Sequence, residues 1–305
     1  MAVGEIISVS RFNLMQNRIA EVLGQGQLTF GYGQLLSSSP VSLTNTVSAN
    51  HLNFLKEDIN KVNVHQTGNS VSLATIIANA DVEDAEWLSY ETLATTLYNS
   101  KQDVYLANQV STENKLSSTR SSTWGDPVNI LTHTFKVIFA GGYTVGKTDG
   151  TTVSATGADH RRHFFNSGGE IRLVASLAGS SGDKSTYWRD LLSSMGTIKF
   201  TYNGVTASSG TGTSIGNNSL TGTFQTLYSK QSTGIYAGIN AEYIVKARTI
   251  NSSTIEFQVT FVDRDAGIID ETINGTLTSS VSQLRATGSY VDVTTPSYLT
   301  TTPLE

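Results

Sequence analysis

The sequence predicts an α+β protein: a short N-terminal α-helical region followed by a predominantly antiparallel β-sandwich domain with one inserted helix. Three observations lead there. Apolar residues near the N-terminus recur at alternating steps of three and four. From Trp124 onward they alternate with polar residues instead. The chain of 305 residues holds 37 Ser, 40 Thr and 27 Gly but only 4 Pro, a composition that suits half-buried pleated surfaces and their turns.

The first helix carries Phe12, Met15, Ile19 and Val22 on one face. Ser10 is placed to cap its start and Gly24 to end it. A Gly-rich connector, GQGQLTFGYGQLLSSSP, leads to a second helix with Leu52, Leu55, Ile59 and Val62 at the same spacing and Ser48 as its cap. A third helix is predicted over Asp84 to Tyr98, with Trp87, Ala94 and Leu97 apolar. Its acidic start, DVEDAE, suits the positive end of a helix dipole. Each helix has a single apolar stripe, which calls for a partner in the β domain or in another subunit. Residues 1–106 are therefore read as a helical docking region. Residues 107–123, ANQVSTENKLSSTRSST, offer little to fill a core and are read as an extended linker or arm.

Residues 124–305 form the predicted sandwich. Ile171, Leu173, Ala175 and Leu177 alternate with Arg172, Val174 and Ser176. Ile198, Phe200 and Tyr202 alternate before Asn203-Gly204, a hairpin-turn signal. Tyr243, Val245 and Ala247 run up to a turn at Asn251-Ser252-Ser253, and Ile255, Phe257, Val259 and Phe261 return on one face. Ile273 and Leu277, then Val291 and Val293, suggest the last strands. Alternation of this kind implies sheets with one buried face. The inserted helix is SGDKSTYWRDLLSSMG, with Ser185 as cap, Tyr187, Trp188, Leu191 and Leu192 as apolar positions, and Gly196 as stop. Just before it, HRRHFFNSGG reads as a polar turn that anchors Phe164 and Phe165 in the core, with Gly168 and Gly169 allowing the tight bend. The tail SYLTTTPLE reads as a short extended segment.

Composition narrows the function. The net charge is −5 and no Lys/Arg block occurs, which leaves no electrostatic footprint for nucleic acid. No apolar run has the length of a membrane span, and MAVGEIISVSRF lacks the basic start and apolar core of a secretion signal. The absence of Cys removes disulfides, thiolate metal sites and Cys nucleophiles.

Several motifs invite a chemical reading. Gly141 to Thr148, GGYTVGKT, matches the phosphate-binding pattern G-x-x-x-x-G-K-[ST] and follows an apolar strand, FKVIFA. That loop needs a helix immediately after it so that backbone N–H groups can cradle phosphates. DGTTVSATG has no helical period, so the segment reads as a Gly-rich loop between two strands. Asp263, at the end of TFVD, sits on an alternating strand rather than a buried parallel one. His160 and His163, at i and i+3, could share a metal, but two Arg between them oppose a cation and no third ligand is visible. Asp263, Asp265, Asp270 and Glu271 could bind Ca²⁺ but lack EF-hand spacing, and read as a solvated loop. No G-x-S-x-G elbow is present, and His65 reads as a polar residue at an element's end. No cofactor, metal site or catalytic residue is expected.

Several segments resemble virion structural proteins of tailed bacteriophages, notably phages of cyanobacteria. They are HFFNSGGEIR, WRDLLSSMGTIKF, TIEFQVTFVD and DETINGTLTSSVSQLRATGSYVDV, with YGQLLSSSPVS and VSANHLNFLKEDINKVNVHQTG upstream. Residues 66–123 are the least matched. The resemblance implies a non-enzymatic component of a tail, neck or fibre, assembled in the host cytoplasm into the virion. Its partners would be other virion proteins and copies of itself in trimeric or hexameric symmetry. Phe12, Met15, Ile19, Leu52, Leu55 and Ile59 are the candidate assembly interface. A receptor- or carbohydrate-binding tail module, facing a host-surface glycan, is the alternative. An NTPase using Gly141–Thr148 ranks below both.

Overall fold

The computed structural model describes residues 8–27, 30–78, 82–125, 130–232, 241–264 and 272–304. In chain order the elements begin with α1 (Val9–Leu23), α2 (Ala49–Thr67), α3 (Asp84–Asn99) and the single turn α4 (Leu106–Gln109). Then come β1 (Val110–Arg120), β2 (Ile130–Ile138), β3 (Thr144–Gly146), β4 (Thr152–Ser154), α5 (Gly157–Asn166) and β5 (Glu170–Ala178). The chain continues through α6 (Asp183–Met195), β6 (Ile198–Phe200), β7 (Val205–Thr206), β8 (Thr211–Gly212) and β9 (Gln225–Gln231). It ends with β10 (Ala241–Asn251), β11 (Thr254–Asp263), β12 (Thr276–Ala286) and β13 (Ser297–Thr302). The protein is α+β, with N-terminal helices followed by antiparallel sheets.

Two compact units result. One comprises residues 1–111, 140–169 and 285–295; the other comprises 112–139, 170–284 and 296–305. The division departs from boundaries at 106 and 123, because two later stretches of chain return to the helical unit.

In the helical unit, α1, α2 and α3 pack on one another. The stripes read from the sequence meet there: Phe12, Met15 and Ile19 with Leu52, Leu55 and Ile59, and with Trp87, Tyr90, Ala94 and Leu97, all at most 2 % exposed. Ser48 caps α2 in a reciprocal box, accepting from His51 N while the His51 ring accepts from Ser48 N. Helix α1 begins nearer Ser8 than Ser10, and the Ser8 side chain makes no cap bond. Arg11 grips Glu91 through two 2.8 Å bonds, and Trp87 Nε1 donates to the same carboxylate at 3.0 Å, tying α1 to α3. The connector before α2 is held by Asp58. Its buried carboxylate accepts from Ser37 N (2.9 Å), Ser38 N (2.8 Å), Ser38 Oγ (2.7 Å) and Lys61 Nζ (2.8 Å).

The β unit is a sandwich. One sheet has the order β1-β12-β5-β6-β7 and the other β13-β2-β11-β10-β9-β8. Ile255, Phe257, Val259 and Phe261, alternating along β11, are all fully buried. Phe257 stacks on Phe135 of its own sheet at 5.2 Å and meets Phe200 of the facing sheet edge-on at 5.3 Å. The Asn203-Gly204 hairpin forms, pairing Phe200 with Val205. The inserted helix α6 buries Trp188, Leu191, Leu192 and Met195. It starts at Asp183, so Ser185 does not cap it; the Ser185 hydroxyl instead accepts from Asn274 N at 3.0 Å.

Three expectations are overturned. Residues 107–123 are not a free arm, since Val110–Arg120 is β1, an edge strand beside β12. A strand's ladder bonds come from backbone, so a Ser/Thr-rich segment can pair without apolar content. HRRHFF is helix α5 rather than a turn. Thr156 and Asp159 form a reciprocal capping box that starts it upstream of the aromatic pair. Val291 and Val293 are buried but lie outside any strand, in the helical unit. The final strand is β13 from the tail, antiparallel to β2.

The Gly168-Gly169 bend after α5 is present. Phe164 and Phe165 are buried with rings 5.1 Å apart, and Gly169 N donates to Phe164 O. Gly168 has φ +86°, and a Cβ there would lie 2.8 Å from Val104 Cγ2. Gly168→Val combines a disfavoured backbone region with that clash, so it should destabilise the protein by about 3 kcal/mol. An unchanged melting profile in calorimetry is the contrary result. Asp58→Ala should cost a comparable amount, about 3 kcal/mol, because it strands two main-chain N–H groups and a lysine; chemical denaturation measures it.

Candidate functional site

The six residues proposed from sequence as an assembly interface, Phe12, Met15, Ile19, Leu52, Leu55 and Ile59, are 0–2 % exposed. They are the core of the helical unit and present nothing to a second subunit. The reason is a contact that spacing along the chain does not show: α3, itself expected from the sequence, packs on both α1 and α2. Large apolar side chains on the outside of this unit are different ones. They include Leu14, Phe54 and Leu88 on the three helices, and Leu43 and Ile77 in the loops beside α2. A groove of about 420 Å³ runs between α1 and α3, lined by Leu14, Met15, Arg18, Glu91, Thr92, Thr95 and Thr96. Arg18 donates to Thr95 Oγ1 at 2.6 Å along it. The Arg11 guanidinium holds the Glu91 carboxyl below the usual carboxylate range.

Gly141–Thr148 is half of a hairpin. Strand β3 pairs with β4 through Val145 opposite Val153. Two of its amides are spent inside the hairpin: Gly142 N donates to Ala155 O and Lys147 N to Thr151 O. The next helix, α5, begins only at Gly157. Asp263 belongs to the other unit, where it pairs with Lys184.

His160 and His163 lie on α5 in a buried polar cluster. His160 Nδ1 is 2.7 Å from Ala140 O, and its Nε2 is 2.6 Å from Thr294 O. His163 Nδ1 is 2.7 Å from the Tyr143 hydroxyl, and its Nε2 is 3.0 Å from Gln25 O. Arg162 bridges Asp159 Oδ1 and Gln25 O, each at 2.8 Å. All four imidazole nitrogens therefore face main-chain carbonyls or a hydroxyl. The described residues hold no group of three or more His, Asp or Glu placed for a metal ion. Asp265, Asp270 and Glu271 of the acidic loop lie outside the described residues.

His65 is fully buried against Tyr32, with ring centroids 4.7 Å apart. Neither of its nitrogens makes a well-formed hydrogen bond. Burial lowers its pKa to about 4, with the main chain of Ser167 offsetting part of the shift. Burial likewise lowers His163 to about 4 and His133, on β2, to about 4. It also lowers His160.

In the β unit, α6 and β9 border a groove of about 230 Å³ lined by Tyr187, Asp190, Leu191, Ser194, Lys230, Gln231 and Ser232. Lys230 Nζ donates to Ser194 Oγ and Ser209 Oγ, both at 2.6 Å. An ammonium, a carboxylate, hydroxyls and a phenol thus converge on one small depression. Sequence reasoning missed it because its residues come from two segments far apart in the chain, and each alone reads as surface.

Compared with family models, curated proteins and solved structures, the chain matches none. Among the described residues, no helix is long and apolar enough to cross a membrane.

The histidines set a pH dependence. Their folded pKa values lie below the unfolded value of 6.5, so between pH 6.5 and about 4 the unfolded chain binds protons that the folded chain refuses. Stability should therefore fall as pH drops through that window, by roughly 3 kcal/mol for each of the three rings at its lower end. Denaturant titrations from pH 7.5 to 4 measure this. His65→Leu should flatten the slope.

Proposed function

We propose that the protein is a non-enzymatic structural component of a tailed-phage virion, of tail, neck or fibre type, that docks through its helical unit. The resemblance of several segments to such virion proteins motivates the reading. The observation that carries it is the surface of the helical unit. Its three helices already satisfy one another's apolar stripes, yet Leu14, Phe54 and Leu88 remain 53 %, 45 % and 60 % exposed. Exposed apolar side chains of this size are positions where burial against a partner would gain free energy. Copies of the same chain and neighbouring virion proteins are the proposed partners, meeting these exposed side chains rather than the buried stripe.

A second reading is a glycan-binding tail module. It is favoured by the groove between α6 and β9, where Tyr187, Asp190, Ser194 and Lys230 supply the ring and hydrogen-bonding groups that sugars use. Binding of host-surface glycans to the full chain, lost in Tyr187→Ala with Lys230→Ala, would favour it.

The assembly reading makes a sharp demand. Leu14→Asp with Leu88→Asp alters exposed positions and should shift stability by no more than about 0.5 kcal/mol. Tagged copies carrying both changes should fail to enter particles during infection. Quantitative mass spectrometry of purified particles reads the outcome, and wild-type incorporation of the double variant would overturn docking through this surface.

A further inference from the structure

The β unit contains a buried, closely paired amine and carboxylate. Lys184 Nζ lies 2.6 Å from Asp263 Oδ2, and the two side chains are 6 % and 0 % exposed. Lys184 is in the first turn of α6, and Asp263 is the last residue of β11. One turn along α6 lies Trp188, whose ring meets Trp124 edge-on at 4.7 Å. Phe261, on the Asp263 face of β11, is 6.1 Å from Trp188 and 6.5 Å from Trp124. Gly125 stands close to the carboxylate at φ +105°: a Cβ there would lie 3.0 Å from Asp263 Oδ2 and 3.1 Å from Ile273 Cδ1.

Both partners are held in place. Asp263 closes the β10–β11 ladder opposite Ala241. The start of α6 is pinned beside Lys184 by the bond from Asn274 N to Ser185 Oγ. Ile273, next in the chain to Asn274, exchanges two main-chain bonds with Trp124, of 3.1 and 2.7 Å. A buried ion pair is expensive to keep, because both charges have left water. A nucleophile fixed against its electrophile reacts as though at very high concentration.

We propose that Lys184 and Asp263 condense into an intramolecular isopeptide bond. An Nζ proton passes to the carboxylate. The Nζ lone pair then attacks Cγ, and the Nζ–Cγ bond forms. One Cγ–O bond breaks, and that oxygen leaves with the transferred proton and a second Nζ proton as water. The third proton stays on the amide nitrogen. No oxidant, reductant or co-reactant is required. The product removes two buried charges and covalently joins α6 to the end of β11. In a chain without cysteine, it supplies a cross-link that reducing conditions cannot open.

The test is the mass of the purified full chain under denaturing conditions. The expected value is lower than the sequence mass by one water. Proteolysis should yield a branched peptide joining the segments around Lys184 and Asp263. Lys184→Arg keeps the charge but cannot form the bond, so it should show the full sequence mass and a lower melting temperature. Asp263→Asn should still close the same amide, releasing ammonia in place of water. A wild-type mass equal to the sequence mass after prolonged incubation, or a water lost at another site, would overturn the proposal and leave an ion pair. The wild-type measurement decides even if a variant fails to fold. It does not depend on particle assembly, so neither proposal's failure carries over to the other.

Discussion

The row of side chains along β11 is the constraint on which the β unit depends. Ile255, Phe257, Val259 and Phe261 are fully buried on one face, and each such burial contributes about 2 kcal/mol. Phe257 touches ring partners in both sheets, and Phe261 touches both tryptophans of the α6 end. A slip of one residue in this strand would turn the whole row outward. Its antiparallel neighbours on both sides, β10 and β2, hold the register through unbroken runs of pairs along most of its length. Helix α6 packs its Trp188 against the Phe261 end of this row.

The helical unit rests on a different device. Its three single-stripe helices share one core, and polar clamps then orient the loops around it. Asp58 gathers the Ser37-Ser38 main chain, while Tyr32 donates to Lys101 O and accepts from Gln66. Four buried histidines lie in the two units, three in the helical one. A neutral imidazole facing two carbonyls, as His160 does, can donate to only one of them. The two carbonyls favour the protonated ring while burial, the larger effect, disfavours it, which links integrity of the unit to pH.

The two cores decide which side chains are left outside and which are enclosed. Because the helices satisfy one another, their stripes are closed to a partner, and the docking proposed above rests instead on exposed side chains such as Leu14, Phe54 and Leu88. Because the sandwich encloses Lys184 with Asp263, the pair is placed for condensation rather than exchange with solvent. The phosphate-loop match at Gly141–Thr148 shows the converse: all four specified positions match, yet the segment is committed to a hairpin.

Local pattern was enough for much of this. The 3-4-3 spacing determined α1 and α2, the Ser48 cap determined where α2 starts, and strict alternation determined β5, β10 and β11 and the face each buries. These are properties of a few consecutive residues, so they are legible without the rest of the chain. Tertiary structure alone decided which stripe meets which. It turned the supposed interface into a core by bringing in α3, made β1 from a Ser/Thr-rich arm by giving its backbone a neighbour, and placed Lys184 against Asp263 from segments remote in sequence. Pairing across long separations depends on the packing of everything between, and no periodicity along the chain encodes it.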